Sequence, residues 1–306
     1  RTNLFREGIA KRLEELSLAI HHAVPSGVGS HSHRTLTDRE LHQVMLEGAG
    51  WAVHNGYGWK SDLEVTEKGG VMAGADPGAV SERAKERGIP QLGSLGSGNH
   101  FCEIGWVAEV YDELAARAFG LEKGQVTVMI HSGSRGFGYQ ICDDYLRTMI
   151  KASSKYQIEL PDRQLCAAPL KSPEAQQYFG AMACAVNFAF ANRQMMTHFV
   201  RQAFERFFGK SDVHLGLSMV YDVCHNIATW EMHEFEGKMR RVCVHRKGAT
   251  RAFGPGHKDV PAQYRQIGQP VLVPGDMGRY SFVLAGTERA MKESWGSSCH
   301  GAGRRM

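Results

Sequence analysis

The stretch SPEAQQYFGAMACAVNFAFANRQMMTHFVRQAFERFF, residues 172–208, decides the fold. Ser172 is an N-cap residue, Pro173 suits the first helical position, and Glu174 places an acid in the first turn. Met182, Val186, Phe190, Met196, Val200, Phe204 and Phe208 then form an apolar stripe at helical spacing, which predicts one long core helix ending at Phe208. Upstream, Leu4, Phe5, Ile9, Leu13, Leu16 and Ile20 recur at three- and four-residue steps until Ala23-Val-Pro25 breaks the pattern. The segment Thr37-Asp-Arg-Glu40 is a capping box opening a second helix with Leu41, Met45, Trp51 and Ala52. From Gln91 the character changes to short β-branched runs between glycine-rich turns: 125–130, 217–221, 242–244, 271–273 and 281–284. Residues 229–245 alternate around Glu236-Gly-Lys238, which predicts a hairpin. The expected fold class is therefore α+β: a single large domain over residues 1–306, mainly helical over 1–90, with a motif-bearing α+β core over 91–306. A mixed β core with flanking helices is the expected architecture.

Composition narrows the function. Of 306 residues, 42% are hydrophobic and 22% charged, which excludes a disordered chain. No run reaches the roughly eighteen apolar residues of a membrane span, and no basic-then-apolar leader is visible, so a cytoplasmic protein without membrane contact is expected. The seven cysteines never fall as C-x-x-C and read as reduced thiols. A net charge of +4 permits a local basic site without demanding a nucleic-acid partner. Glycine, at 35 residues, exceeds the usual share of about 7%, and there are fifteen histidines.

Four histidines share one context. GSGNHFCE (residues 96–103), IHSGSRG (130–136), DVCHN (222–226) and SCHGAGR (298–304) each place a histidine beside a strand-like run and small or turn-forming residues. Neutral imidazoles drawn from separate strands suit Zn, Mn, Fe or Cu. Glycine-rich loops offer backbone N–H groups to phosphate oxygens, with Arg135 and Arg304 adding charge-assisted bonds. Metal plus phosphate is the chemistry these residues suggest.

The ordered strings GSGNHF, HSGSRG, CHN, HRKGATRAF, PVLVPGDMG, SFVLAGT and SCHGAGR resemble the RtcB RNA ligases, from about Leu92 to Arg304. The resemblance implies a GTP-dependent 3′-phosphate/5′-hydroxyl nucleic acid ligase of tRNA splicing and RNA repair. Such an enzyme joins RNA ends carrying a 2′,3′-cyclic phosphate or 3′-phosphate to 5′-hydroxyl ends. It places the catalytic nucleophile, which takes GMP from GTP, on His300, and metal ligands on His100, His131 and His225. The cofactor it implies is Mn²⁺, two ions in the complete family site, with GTP as cosubstrate. The implied guanylate pocket comprises Asn99, His100, Phe101, Cys102, Glu103, His225, Asn226, Pro274, Gly275, Asp276, Met277, Ser281, His300, Gly301, Ala302 and Gly303. Within it Glu103 would accept from the guanine N–H edge, a contact adenine could not supply. Arg135, Arg246 and Lys247 are the expected RNA-phosphate contacts, and an archease-type protein is an expected activator.

Two departures accompany the resemblance. Family members carry, before the helical region, a D-x-x-C segment that completes the metal sites, and nothing in residues 1–90 matches it. They also continue past H-G-A-G-R to a C-terminal lysine that contacts guanylate. The expectation is the incomplete, central portion of a longer enzyme. Two other classes compete: a non-catalytic guanine-nucleotide or RNA-binding remnant, and a metal-dependent phosphohydrolase with water in place of His300.

Overall fold

The computed structural model describes residues 1–27, 29, 31–276 and 278–303. Helices α1 (Leu13–Ala23), α2 (Asp38–Glu47), α3 (Ala49–His54), α4 (Lys60–Glu64) and α5 (Glu82–Gly88) precede the first strand. Strands β1 (Phe101–Trp106) and β2 (Val126–His131) flank helix α6 (Glu113–Phe119). Helices α7 (Arg135–Lys155) and α8 (Pro173–Phe208) follow. The chain then forms β3 (Asn226–Phe235), β4 (Lys238–Lys247), β5 (Ala249–Arg251), β6 (Pro270–Val273), β7 (Phe282–Ala285) and β8 (Ser297–Cys299).

Helix α8 has the limits its sequence predicts. The Ser172 hydroxyl accepts from the Ala175 N–H at 3.2 Å, and Gly209 ends the helix in the left-handed region. Its apolar side chains build the main core: Phe188, Met195, Met196 and Phe204 are fully buried with Leu16 of α1, Leu41 and Met45 of α2, Trp51 of α3 and Phe137 of α7. Each such aromatic or aliphatic side chain contributes roughly 1.5–3 kcal/mol by leaving water. The helix is not merely amphipathic, because Asn187, Asn192, Arg193, Gln194 and Arg201 are buried along it as well. Each of them hydrogen-bonds another segment. Asn187 holds Met72 and Met45, while Arg201 makes a two-pronged ion pair with Asp62 at 2.6 and 2.7 Å. Among the described residues no helix is long and apolar enough to cross a membrane.

The α+β class holds, and the strands meet as two-stranded antiparallel ribbons: β1 with β2, β3 with β4, β5 with β8 and β6 with β7. The hairpin turns at Glu236-Gly237, as its sequence predicts. Three local expectations are corrected. The first helix is interrupted, with a single turn at Arg6–Ile9 and a tighter one at Ala10–Arg12 before α1. The second stops at Gly48, whose φ of +57° leaves the helical region, and restarts as α3. Residues 217–221 are not a strand. Their partners are single groups, such as the Arg1 carbonyl accepting from the Ser218 N–H and the Met219 sulfur accepting from the Thr66 hydroxyl, with one isolated bridge from Thr66 to the adjoining Asp222.

Candidate active site

The ribbons carry the histidines to one place. His100 immediately precedes β1, and His131 ends β2, opposite Phe101 in the register. His225 immediately precedes β3, and His300 follows β8. The β5–β8 ribbon lies against the hairpin because the Gly248 N–H donates to the His225 carbonyl at 3.1 Å. The rings of His131 and His225 are 4.9 Å apart centre to centre, and His225 stacks on His300 at 4.7 Å. His131 is 6.2 Å from both His100 and His300. Residues spread over two hundred positions of chain thus share one cluster. It borders a cleft of about 1300 Å³, also lined by Glu103, Pro274 and Ser281.

Burial keeps two of these rings, His225 and His100, neutral. It lowers the His225 pKa to about 3, aided by repulsion from His131, His300, Arg193 and Lys247. It lowers that of His100 to about 4, with Arg135 adding to the effect. Arg135 opens helix α7 at φ +56°, a costly backbone for a non-glycine residue and one that tends to persist where function needs it. Its guanidinium faces His100 Nδ1 at 3.3 Å and donates to the Ser94 hydroxyl at 3.2 Å, and no carboxylate pairs with it among the described residues. An arginine only donates, so His100 Nδ1 accepts and the proton of that neutral ring sits on Nε2.

Neutral imidazoles are the right donors for a transition metal, but the geometry does not close on one. Among the described residues no group of three histidine, cysteine, aspartate or glutamate side chains converges as a metal site. His100, His131 and His225 are neighbours rather than a formed ligand trio.

The expected guanylate residues gather around the same cluster. The Ala302 N–H donates to the Pro274 carbonyl at 2.9 Å, the Gly275 N–H donates to the Ser281 hydroxyl at 3.1 Å, and the Asn99 amide lies against Gly303. Phe101 meets the His131 ring edge-on at 5.4 Å, Asp276 faces Arg279, and Asn226 pairs with Lys247 across the hairpin. The Cys102 side chain, with that of Ile104, packs against the helical core, and burial pushes its thiol up to about 12. Met277 and Arg304 lie outside the described residues.

Lys247 is exposed at the hairpin end, whereas Arg246 is corrected as an RNA contact. Only 2% exposed, Arg246 donates to both oxygens of Glu231, at 2.5 and 2.9 Å, to the Ser297 hydroxyl and to the Trp295 carbonyl. Its work is to lock the hairpin onto β8, which carries His300. Arg246→Ala is expected to destabilise the fold by about 3–5 kcal/mol, because Glu231 is left buried without its partner. Urea unfolding would measure this, and a variant within about 1 kcal/mol of the parent would contradict it. Burial alone would raise the Glu231 pKa, but Arg246, His233 and Thr229 outweigh it and hold the carboxyl at about 2. The folded pKa lies below the usual value of 4.5, so this carboxylate stabilises fully above that value and loses its contribution as the pH falls towards 2. Glu231→Gln should therefore lose less stability than the parent between pH 5 and pH 3; equal losses would remove Glu231 from the acid transition.

What the motifs did not signal are the supports beneath the cluster: Ser94, Asn192, Arg193 and Asp222. Arg193 pairs with Asp222 at 2.6 Å, three residues before His225. Three polar residues in succession, Asn192-Arg193-Gln194, inside an apolar helical pattern were the one available sign.

Comparison with known proteins agrees with this arrangement. A family model described as tRNA-splicing ligase RtcB matches residues 1–306. The chain is similar to a protein of that name from Thermococcus kodakarensis, 56% identical over 99% of this chain and 63% of the relative. A relative of the same name from Archaeoglobus fulgidus is 53% identical over 100% of this chain and 64% of its own length. One from Pyrococcus abyssi is 56% identical over 99% of this chain and 33% of its own length. The chain thus spans less than two thirds of these relatives. With the histidine motifs in order, their rings in one cluster and the match running from end to end, the chain belongs to the RtcB family.

Proposed function

We propose that the protein is a GTP-dependent RNA ligase of tRNA splicing and RNA repair, joining a 2′,3′-cyclic phosphate or 3′-phosphate end to a 5′-hydroxyl end through a guanylylated His300. The observation that carries this reading is the meeting of His131, His225 and His300 in the lining of a cleft large enough for a nucleotide. A neutral ring nitrogen of His300 attacks the α-phosphorus of GTP, a P–N bond forms, the P–O bond to pyrophosphate breaks, and the ring's remaining acidic proton is released. A 3′-phosphate oxygen of RNA then attacks the guanylyl phosphorus, breaks the P–N bond and frees His300. Finally the 5′-hydroxyl attacks the 3′-phosphorus and expels GMP. A cyclic phosphate is opened by water before these steps.

Around this nucleophile, Glu103 would select guanine, the loops 274–276 and 301–303 would turn backbone N–H groups towards phosphate, and Arg135 would hold an RNA phosphate. Mn²⁺ belongs to the reading as the ion that neutralises triphosphate charge when bound. His100, His131 and His225 are the residues that would hold such ions, through neutral ring nitrogens.

The test uses the full-length protein with GTP labelled at the α-phosphate, Mn²⁺ and no RNA. An acid-labile label on the protein is expected. Release of labelled nucleotide without any covalent adduct would favour the phosphohydrolase, and binding without turnover would favour the remnant.

A further inference from the structure

Two consecutive residues of α8 bond the segments that lead to or from three of the four site histidines. The Asn192 carbonyl oxygen accepts from the N–H groups of Gly93 and Ser94, at 2.6 and 3.1 Å, in the loop that leads to His100. Its amide nitrogen donates to the Ser94 carbonyl, the Ser132 hydroxyl and the Gly133 carbonyl, at 3.0–3.2 Å, directly after His131. The next side chain, Arg193, donates from Nη1 to the Ser132 carbonyl at 3.3 Å. Through Nε it donates to Asp222 Oδ1 at 2.6 Å, and through Nη2 it reaches the Cys224 sulfur at 3.6 Å, directly before His225. Glu67 holds the same segment from the other side by accepting from the Cys224 N–H at 2.9 Å. Asn192 and Arg193 are both buried, and the helix beneath them is the most deeply packed element of the fold.

Resting on the ligase reading, we infer that Asn192 and Arg193 are positioning residues, a brace that fixes the spacing of His131 and His225 under His300 and so sets the rate of guanylyl transfer. A pair of loops with no ladder between them has little to hold them at a fixed separation. One guanidinium bonded to both supplies it, because its donors lie in a rigid plane. A lysine keeps the charge and one bond but cannot span Ser132, Asp222 and Cys224 together. Misplacing a reacting group by about 1 Å costs about 100-fold in rate.

Arg201 provides the control. It lies two turns further along α8, is equally buried, and is spent on Asp62 and the Leu217 carbonyl, away from the histidine loops. Arg193→Lys and Arg201→Lys are compared in the full-length protein for melting temperature, for the single-turnover rate of His300 guanylylation at saturating GTP, and for the GTP concentration giving half that rate. Carbethoxylation of His131 and His225 by diethyl pyrocarbonate, mapped by peptide mass spectrometry without GTP or metal, reports ring placement independently of activity. Both variants are expected to melt earlier. Only Arg193→Lys should slow the saturated rate, by about 100-fold with the half-saturating GTP changed far less, and only it should raise His225 carbethoxylation. Parent-like rates and protection in Arg193→Lys would overturn the brace, as would equal loss in both variants. If the parent protein takes no GMP, the ligase reading falls, and the carbethoxylation comparison alone decides the brace.

Discussion

His300→Ala is expected to abolish formation of the labelled protein adduct, a loss of at least about 10⁴-fold, in line with other deletions of an enzymic nucleophile. The side chain follows β8 and stacks on His225 at the edge of the cleft, so its removal subtracts the proposed attacking atom and little of the core. GTP should still bind, because the pocket expected for it is built mainly from loops 274–276 and 301–303 and from Glu103. Calorimetric titration with GTP would separate that retained affinity from the lost chemistry. A label persisting on His300→Ala would move the nucleophile elsewhere.

Gly301→Ala is expected to reduce guanylylation about 100-fold, with a loss of stability of about 1–3 kcal/mol from the strained loop. Gly301 has a φ of +103°, a region that side chains other than glycine rarely adopt. A Cβ placed there would lie 2.3 Å from the Pro274 carbonyl oxygen and 2.7 Å from its Cδ. The neighbouring Ala302 N–H is bonded to that same carbonyl, so the two loops cannot separate without losing the contact that sets their distance. The expected damage is displacement of the loop directly after the nucleophile. Core packing lies elsewhere, against α8, so the loss of stability should stay confined to the strain of this loop. Single-turnover labelling at saturating GTP measures the effect, and a parent-like rate would show that the close approach of these loops is dispensable.

The sequence was most legible where a local rule had a local cause. Ser172-Pro173 and the Thr37–Glu40 capping box satisfy their own helix ends, so both helices start where their residues say. The hairpin followed from alternation and its turn. Legibility failed where the deciding partner was distant. Residues 217–221 have strand composition but no neighbouring strand to pair with, and Arg246 looks like a basic turn until Glu231, Ser297 and Trp295 close over it. Asn192 and Arg193 sat inside a stripe read only for its apolar members.

By itself, then, the sequence determined the helical spine, the ribbon-forming segments and the four histidine motifs, because backbone propensity, capping and periodicity act over a few residues. Which histidines meet, which arginine is buried, and what holds the loops at their spacing were decided by tertiary structure alone. The reason is physical: these contacts join residues as far apart in the chain as His131 and His300, and their geometry follows from how α8 packs against everything around it.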